Sequence, residues 1–407
     1  MRKLNLGLFL SLMNIILFED LDFRNHLKPL TLTRPIGMLR VGILTIKEKW
    51  ENRLNLSVSL DTEEYLQTKY PLILKEENVF INSSFLPTPA LIDLIKNLKP
   101  GQVIASGLEI VAYISDARKS AQELGKAPEI IELEPEDTFS IKHLPDLFLN
   151  NGSQIEADFK LITAGRTSQE ITDPYTKVYS QENIFLEEGV NIKAAVINAE
   201  EGPVYIGKDA VIQEGAVIIG PVSIGPEAKV AYGAKIRQNT TLGPVCRVGG
   251  EVGNTIFHAY TNKAHDGFLG NSYIGEWCNL GANTNASNLK NDYSEVKLYD
   301  YHTDGMTPTG ETFCGTFMGD YSKAGISTMF NTGSVVGVSC NVFGAGFQSK
   351  LIRSFTWGGA AEGYEPYRFE KAIEVINATM SRRKIELSEE DLLILSHINE
   401  QKITNEV

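Results

Sequence analysis

The chain has 407 residues, 43% of them hydrophobic, enough to build a core and to form two or three domains. Its net charge of −13 argues against nucleic acid or an anionic membrane as a general partner. Four cysteines (Cys246, Cys278, Cys314 and Cys340) form no Cys-x-x-Cys pair and show no zinc spacing, so they read as reduced core residues of a cytoplasmic protein.

At the start, two positive charges and an apolar run imitate a signal peptide but lack a small-x-small cleavage site. Residues 1–12 therefore read as a mis-started or disordered extension, with the true start at Met13. No other segment is apolar enough to span a membrane. From 13 to 150, strand-like runs alternate with helical patterns. Strands are expected at Ile15–Phe18, Asn78–Ile81, Gln102–Ala105 and Ile110–Ile114, and helices at Leu39–Trp50, Pro89–Leu98 and Ser120–Leu124. Such alternation predicts a layered α/β domain. Residues 151–183 lose periodicity and carry Gly, Ser, Asp and Pro, which suits a linker.

The next stretch is the most regular in the chain. Ile206, Ile212, Ile218, Ile224, Val230, Ile236, Leu242 and Val248 fall at steps of six, a period that neither a helix nor an isolated strand sustains. Gly-Pro-Val-Tyr-Ile-Gly at 202–207 recurs as Gly-Pro-Val-Ser-Ile-Gly at 220–225, so three sixes make one coil. This is the hexapeptide signature of a parallel β-helix, expected over 184–355. Period six returns at Phe268, Ile274 and Leu280, and again from Met318 to Val342. The interruption at 289–312 must loop out of the coil. The tail, 356–407, reads as helical, with a capping box at Ser388–Asp391, and suits a cover for an open strand edge.

Chemistry concentrates in Asn262-Lys-Ala-His-Asp-Gly-Phe268 and in Asn279, Asn283, Asn285 and Asn288. Six-residue spacing brings His265 and Asn283 toward one edge of the coil. A histidine there suits a general base, basic residues a phosphate, and amides sugar hydroxyls. The same residues also admit a plain structural role, because asparagines at coil corners form ladders or take left-handed backbone. His26, His143, His258, His302 and His397 sit in no comparable cluster and read as structural or solvent-facing. Tyr273 and Trp277 read as packing residues.

Asn262–Gly270, Ser272-Tyr-Ile-Gly-Glu-Trp-Cys-Asn-Leu-Gly-Ala282 and Ser287–Asn291 resemble sugar-nucleotide enzymes with a left-handed hexapeptide β-helix. The best match is the bifunctional type that acetylates glucosamine-1-phosphate and then uridylylates it. The resemblance implies His265 as the catalytic base, with Arg237, Lys263, Phe268 and Asn279 at the substrate and Asn288 and Leu289 near acetyl-CoA. It also implies a homotrimer, with acetyl-CoA between neighbouring subunits. Pro29-Leu-Thr-Leu-Thr-Arg-Pro-Ile-Gly-Met-Leu-Arg-Val-Gly42 resembles the nucleotidyltransferase half, which implies Arg34 and Arg40 as phosphate contacts and Mg²⁺ as a cofactor of that half. Glu19-Asp-Leu-Asp22 stands where the family has a glycine-rich phosphate loop, and Asn82-Ser-Ser-Phe-Leu-Pro87 lacks the family's metal-binding aspartate. Three readings follow: an acetyltransferase that also transfers a nucleotidyl group, a nucleotidyltransferase with a structural β-helix, and a non-catalytic sugar-nucleotide-binding subunit.

Overall fold

The computed structural model describes residues 14–127 and 129–404, so the readings of 1–12 and Met13 lie outside it. Chain contacts divide it into two units. The first runs to Lys142, except that Asn25–Thr33 and Arg40–Ile43 group with the second, which continues from His143.

The first unit is a mixed sheet: β1 (Asn14–Phe18), β2 (Val58–Asp61), β3 (Asn78–Asn82), β4 (Gln102–Ser106), β5 (Glu109–Ser115) and β6 (Glu129–Glu132), in the order β2-β1-β3-β5-β4-β6. Strand β1 lies parallel to both β2 and β3, while β5 runs antiparallel to β3 and β4. Strands β1 and β3 are buried along their whole length, as their continuous apolar runs require. The helices of this unit are α1 (Leu21–His26, which ends in the second unit), α2 (Ile46–Leu54), α3 (Glu64–Gln67), α4 (Pro89–Asn97) and α5 (Ala121–Leu124). The helix expected from Leu39 starts later, because Thr45 caps it in a reciprocal box with Glu48 and fixes Ile46 as its first residue.

The first part of the expected linker, 151–163, belongs to a helix, α6 (Leu144–Thr163), in the second unit. Its period is masked because polar residues take core-facing positions. The Asn151 amide, fully buried, donates to the Asn239 carbonyl at 2.8 Å, and its oxygen accepts from the Gly42 amide at 2.7 Å. At Gly152 a Cβ would lie 2.1 Å from the Asn239 side-chain oxygen, so any larger residue would push the Asn239 amide aside.

Beyond α6 the chain forms the parallel β-helix. Ile206 pairs with Ile224 and Ile224 with Leu242, while Ile212 pairs with Val230 and Val230 with Val248. All eight residues of the six-step run are fully buried in one continuous core. The coil then changes length: Val248 pairs with Lys263, fifteen residues on, and Ile274 with Met318, forty-four on. The long step carries the looped-out insertion, a hairpin of Lys297–Asp300 and Gly305–Pro308. The tail forms α7 (Phe369–Ser381) and α8 (Glu389–Thr404), the latter capped where Ser388 Oγ accepts from the Asp391 amide at 3.1 Å. All four cysteines are buried and unbridged. Among the described residues no helix is long and apolar enough to cross a membrane.

Candidate functional site

A cleft of about 330 Å³ opens on the side of the β-helix, within the size range of small-molecule sites. It is built from a ladder of coil corners. Asn239, Asn254 and Asn271 take left-handed backbone at successive corners, a conformation asparagine tolerates better than other side-chain-bearing residues. Gly253 and Gly270, paired in adjacent coils, form part of its lining. A Cβ at Gly270 would meet the Asn288 amide at 2.7 Å and the Phe268 ring at 2.8 Å, so this glycine makes room for both side chains. Arg237 completes the wall, with its Nη1 3.2 Å from Glu251 and its side chain largely exposed. Asn288 donates to the Asn271 side-chain oxygen at 2.8 Å, which fixes the orientation of its amide. Three expected site residues, Arg237, Phe268 and Asn288, thus converge on one cleft: a guanidinium for an anion, an amide for hydroxyls, and a ring for an apolar face.

The others lie elsewhere. His265 occupies an exposed corner and lines neither this cleft nor a second one, of about 550 Å³, between the β-helix and α7. Lys263 does not face solvent. Its register places it in the inward stack between Val248 and Leu280, and its ammonium, fully buried, donates to the carbonyls of Gly249 at 3.3 Å and His265 at 2.9 Å. Burial pulls its pKa down to about 8, a shift that Asp266 opposes. The expected contact between Lys263 and substrate is therefore corrected: this lysine holds the corner that carries His265. Leu289 pairs with Phe313 at the neck of the insertion. Asn279 accepts from Asn262 at 2.8 Å and lines the second cleft.

Arg40 is also corrected as a phosphate contact. Its Nε donates to the His258 carbonyl at 3.2 Å and its Nη1 to that of Ile43, so the guanidinium is committed to backbone within the second unit. Arg34 is buried, and its carbonyl accepts from Arg24 at 3.4 Å.

In the first unit the strand order reverses between β1 and β3, the place where open α/β sheets bind ligands. Glu19, directly after β1, does not project from this edge as a free charge. Its carboxylate accepts two bonds from Arg24, at 2.9 and 3.0 Å, one from the Ile36 amide at 2.6 Å and one from the Thr62 hydroxyl. Both partners of the ion pair are almost fully buried. Asp61 is taken by Arg118 at 2.6 Å. Among the described residues no group of three or more His, Cys, Asp or Glu is placed to hold a metal ion. These committed carboxylates do not fit a Mg²⁺ held by the protein alone.

Sequence reasoning missed one cluster. His26 lies 4.5 Å from His143 and 4.6 Å from His302, ring to ring, and its Nδ1 is 2.7 Å from Asp300. The residues lie far apart in sequence and nothing periodic links them, so no pattern pointed to the grouping. His26, His143 and Asp300 border a cavity of about 550 Å³ beside the insertion hairpin.

Fold and cleft together define a two-part chain, an α/β region followed by a hexapeptide-type parallel β-helix with a polar side cleft. Residues 15–167 match the sugar nucleotidyl transferase family. The bifunctional protein GlmU of Methanocaldococcus jannaschii is 36% identical over 90 residues, which are 22% of this chain and 21% of that protein, so the match spans about a fifth of the relative's length. Among solved structures, a UDP-N-acetylglucosamine acyltransferase from Campylobacter jejuni aligns over 55% of this chain and 94% of its own, with 12% identity and a TM-score of 0.28. The polySia-specific acetyltransferase NeuO aligns over 47% and 86%, with 12% identity and a TM-score of 0.26.

Proposed function

We propose that this protein is a transferase of amino-sugar nucleotide synthesis, which acetylates glucosamine-1-phosphate with acetyl-CoA on its β-helix and transfers a uridylyl group through its N-terminal region. The observation that carries the proposal is the nucleotidyl transferase match over 15–167, followed by a β-helix whose cleft gathers Arg237, Phe268 and Asn288. Arg237 holds the sugar phosphate and Asn288 a sugar hydroxyl or the acyl carrier. His265 lies outside that cleft in a single chain, so it takes the proton from the attacking amine of a substrate held between neighbouring subunits; the new C–N bond forms as the C–S bond breaks and the thiol of coenzyme A leaves. Backbone amides stabilise the oxyanion. The working assembly is a cytoplasmic homotrimer in which neighbouring subunits complete the acetyl-CoA site.

A second reading of the N-terminal region, as a nucleotide-binding part without turnover, draws support from Glu19. Its buried ion pair with Arg24 stands where a phosphate loop is expected. One experiment separates the readings: acetyl-CoA consumption on glucosamine-1-phosphate in one tube, with UTP and Mg²⁺ added in a second to follow pyrophosphate. Acetyl transfer with pyrophosphate release supports the bifunctional reading. Acetyl transfer alone assigns the N-terminal region to binding, and silence in both tubes overturns the proposal.

A further inference from the structure

The corner that carries His265 follows an unusually short one. In three successive coils the inward residues that flank this corner are Val230 and Ile236, then Val248 and Val252, then Lys263 and Leu269. The first and third pairs lie six apart and the middle pair only four. Gly249 and Gly250 make up most of the clipped turn. A Cβ at Gly249 would stand 2.4 Å from the Ala264 carbonyl oxygen, and one at Gly250 2.6 Å from that of Gly267, so the two corners meet backbone to backbone. The His265 corner holds two more residues than the turn it rests on, and the ladder between them lapses there. The Gly249 amide donates to the Lys263 carbonyl at 2.7 Å and the Glu251 amide to the Gly267 carbonyl at 3.2 Å, and the carbonyl of His265 between them is passed over.

Lys263 supplies the missing bond. Its ammonium bridges the carbonyls of His265 and Gly249, at 2.9 and 3.3 Å, and among the described residues no other hydrogen bond reaches either oxygen. A Cβ at Gly250 would lie 2.9 Å from the Lys263 Nζ, so the clipped turn also makes the room that the ammonium occupies. The charged group that bears on it is Asp266, on the same corner, and burial outweighs this carboxylate. An aliphatic residue would fill the same place in the stack without burying a charge. The stack therefore does not account for a lysine here, and the bond to the corner does.

We infer that Lys263 is a positioning residue for acetyl transfer, clamping the backbone of His265 to the preceding coil so that an imidazole on an exposed corner keeps one aim. The inference rests on His265 as the base of the proposed reaction. The imidazole is exposed and makes no hydrogen bond of its own among the described residues, so its backbone is what fixes it. A catalytic group displaced by about 1 Å loses about a hundredfold in rate. The clamp depends on a proton, because a charged donor makes a bond roughly twice as strong as a neutral one. This amine discharges near pH 8. The clamp is tight below that pH and slackens above it, and the base loses its aim as the pH rises.

The test follows the imidazole and the rate separately, in the full-length protein. Lys263→Met fills the same place in the stack without a donor. It is expected to shift or broaden the His265 ring signals in proton–nitrogen correlation spectra, assigned by their loss in His265→Ala. It is also expected to lower kcat for acetyl transfer by about tenfold to a hundredfold, with KM for both substrates nearly unchanged. In the parent, kcat is expected to decline and the same ring signals to move above about pH 8, beyond the range in which imidazoles themselves titrate. Both changes are expected to vanish in Lys263→Met, whereas a lysine that merely supported the fold would lower the melting temperature and leave the pH profile as it was. The parent profile needs no variant and tests the clamp even where Lys263→Met fails to fold: steady ring signals and kcat above pH 8 overturn the inference. So do ring signals unaltered by Lys263→Met, or altered signals with kcat intact. Full activity in His265→Ala is a different failure, because it removes the base itself and leaves the clamp nothing to position.

Discussion

The ammonium of Lys263, sealed inside the coil, donates a hydrogen bond at 2.9 Å to the backbone carbonyl of His265. A buried cation in an aliphatic stack is costly, and its tolerance ties the interior of the β-helix to the corner that carries the proposed base. Unfolded, this amine titrates near 10.5, and folded, near 8. Between those values the unfolded chain holds the extra proton, so stability rises with pH across the window, and the burden of burying the charge is fully present below pH 8. Urea midpoints measured from pH 7.5 to 10.5 are expected to climb in the parent and to stay flatter in Lys263→Met. A parent profile with no climb would show that the lysine reaches water.

His265 itself is exposed, so its removal leaves the core untouched. His265→Ala is expected to change stability by no more than about 0.5 kcal/mol. If His265 is the base, the same substitution lowers acetyl transfer by about 10²–10⁴-fold. The two readouts together are decisive: full activity in a well-folded variant would remove His265 from the mechanism.

The β-helix was legible because a solenoid demands the same kind of side chain at the same place in every coil, and Ile206 through Val248 obey that demand without exception. Lys263 was named by resemblance, which does not tell inward from outward; the coil before it shortens to fifteen residues, and its register with Val248 turns it into the stack. Helix α6 was hidden because Asn151 and Gly152 sit on its buried face, where an apolar period is sought. Arg237, Phe268 and Asn288 were named by resemblance, but only the folded chain places them around one cleft. The histidine group at His26, His143 and His302 left no trace in the sequence, because it depends on segments that meet only after folding.

The cleft makes a separable prediction. Arg237 is largely exposed and its pair with Glu251 is a surface ion pair, worth little to the fold. Arg237→Ala is therefore expected to leave the melting temperature nearly unchanged while raising KM for the sugar phosphate about tenfold or more, through the lost charge-assisted bonds. Asn288→Ala removes the amide held by Asn271 and is expected to raise the same KM by a smaller factor. Steady-state kinetics with the sugar phosphate varied at saturating acetyl-CoA checks both. A fall in kcat with KM unchanged, in both variants, would place the sugar phosphate elsewhere.

Glu19 and Arg24 make the strongest stability prediction of the first unit. Arg24→Ala removes the guanidinium that shares two bonds with the carboxylate and leaves Glu19 buried with only the Ile36 amide and the Thr62 hydroxyl as donors. Breaking a buried pair from one side costs about 3–5 kcal/mol, because the remaining charge is left uncompensated. Replacing both partners avoids the stranded charge, so the double variant Glu19→Gln with Arg24→Met is expected to recover a substantial part of that loss. Urea unfolding of the single and double variants, followed by a probe in the first unit such as the buried Trp50, measures the coupling directly. If the double variant is no more stable than Arg24→Ala, charge burial does not dominate at this position, and the arginine acts mainly through its bond to Tyr65 at 3.0 Å.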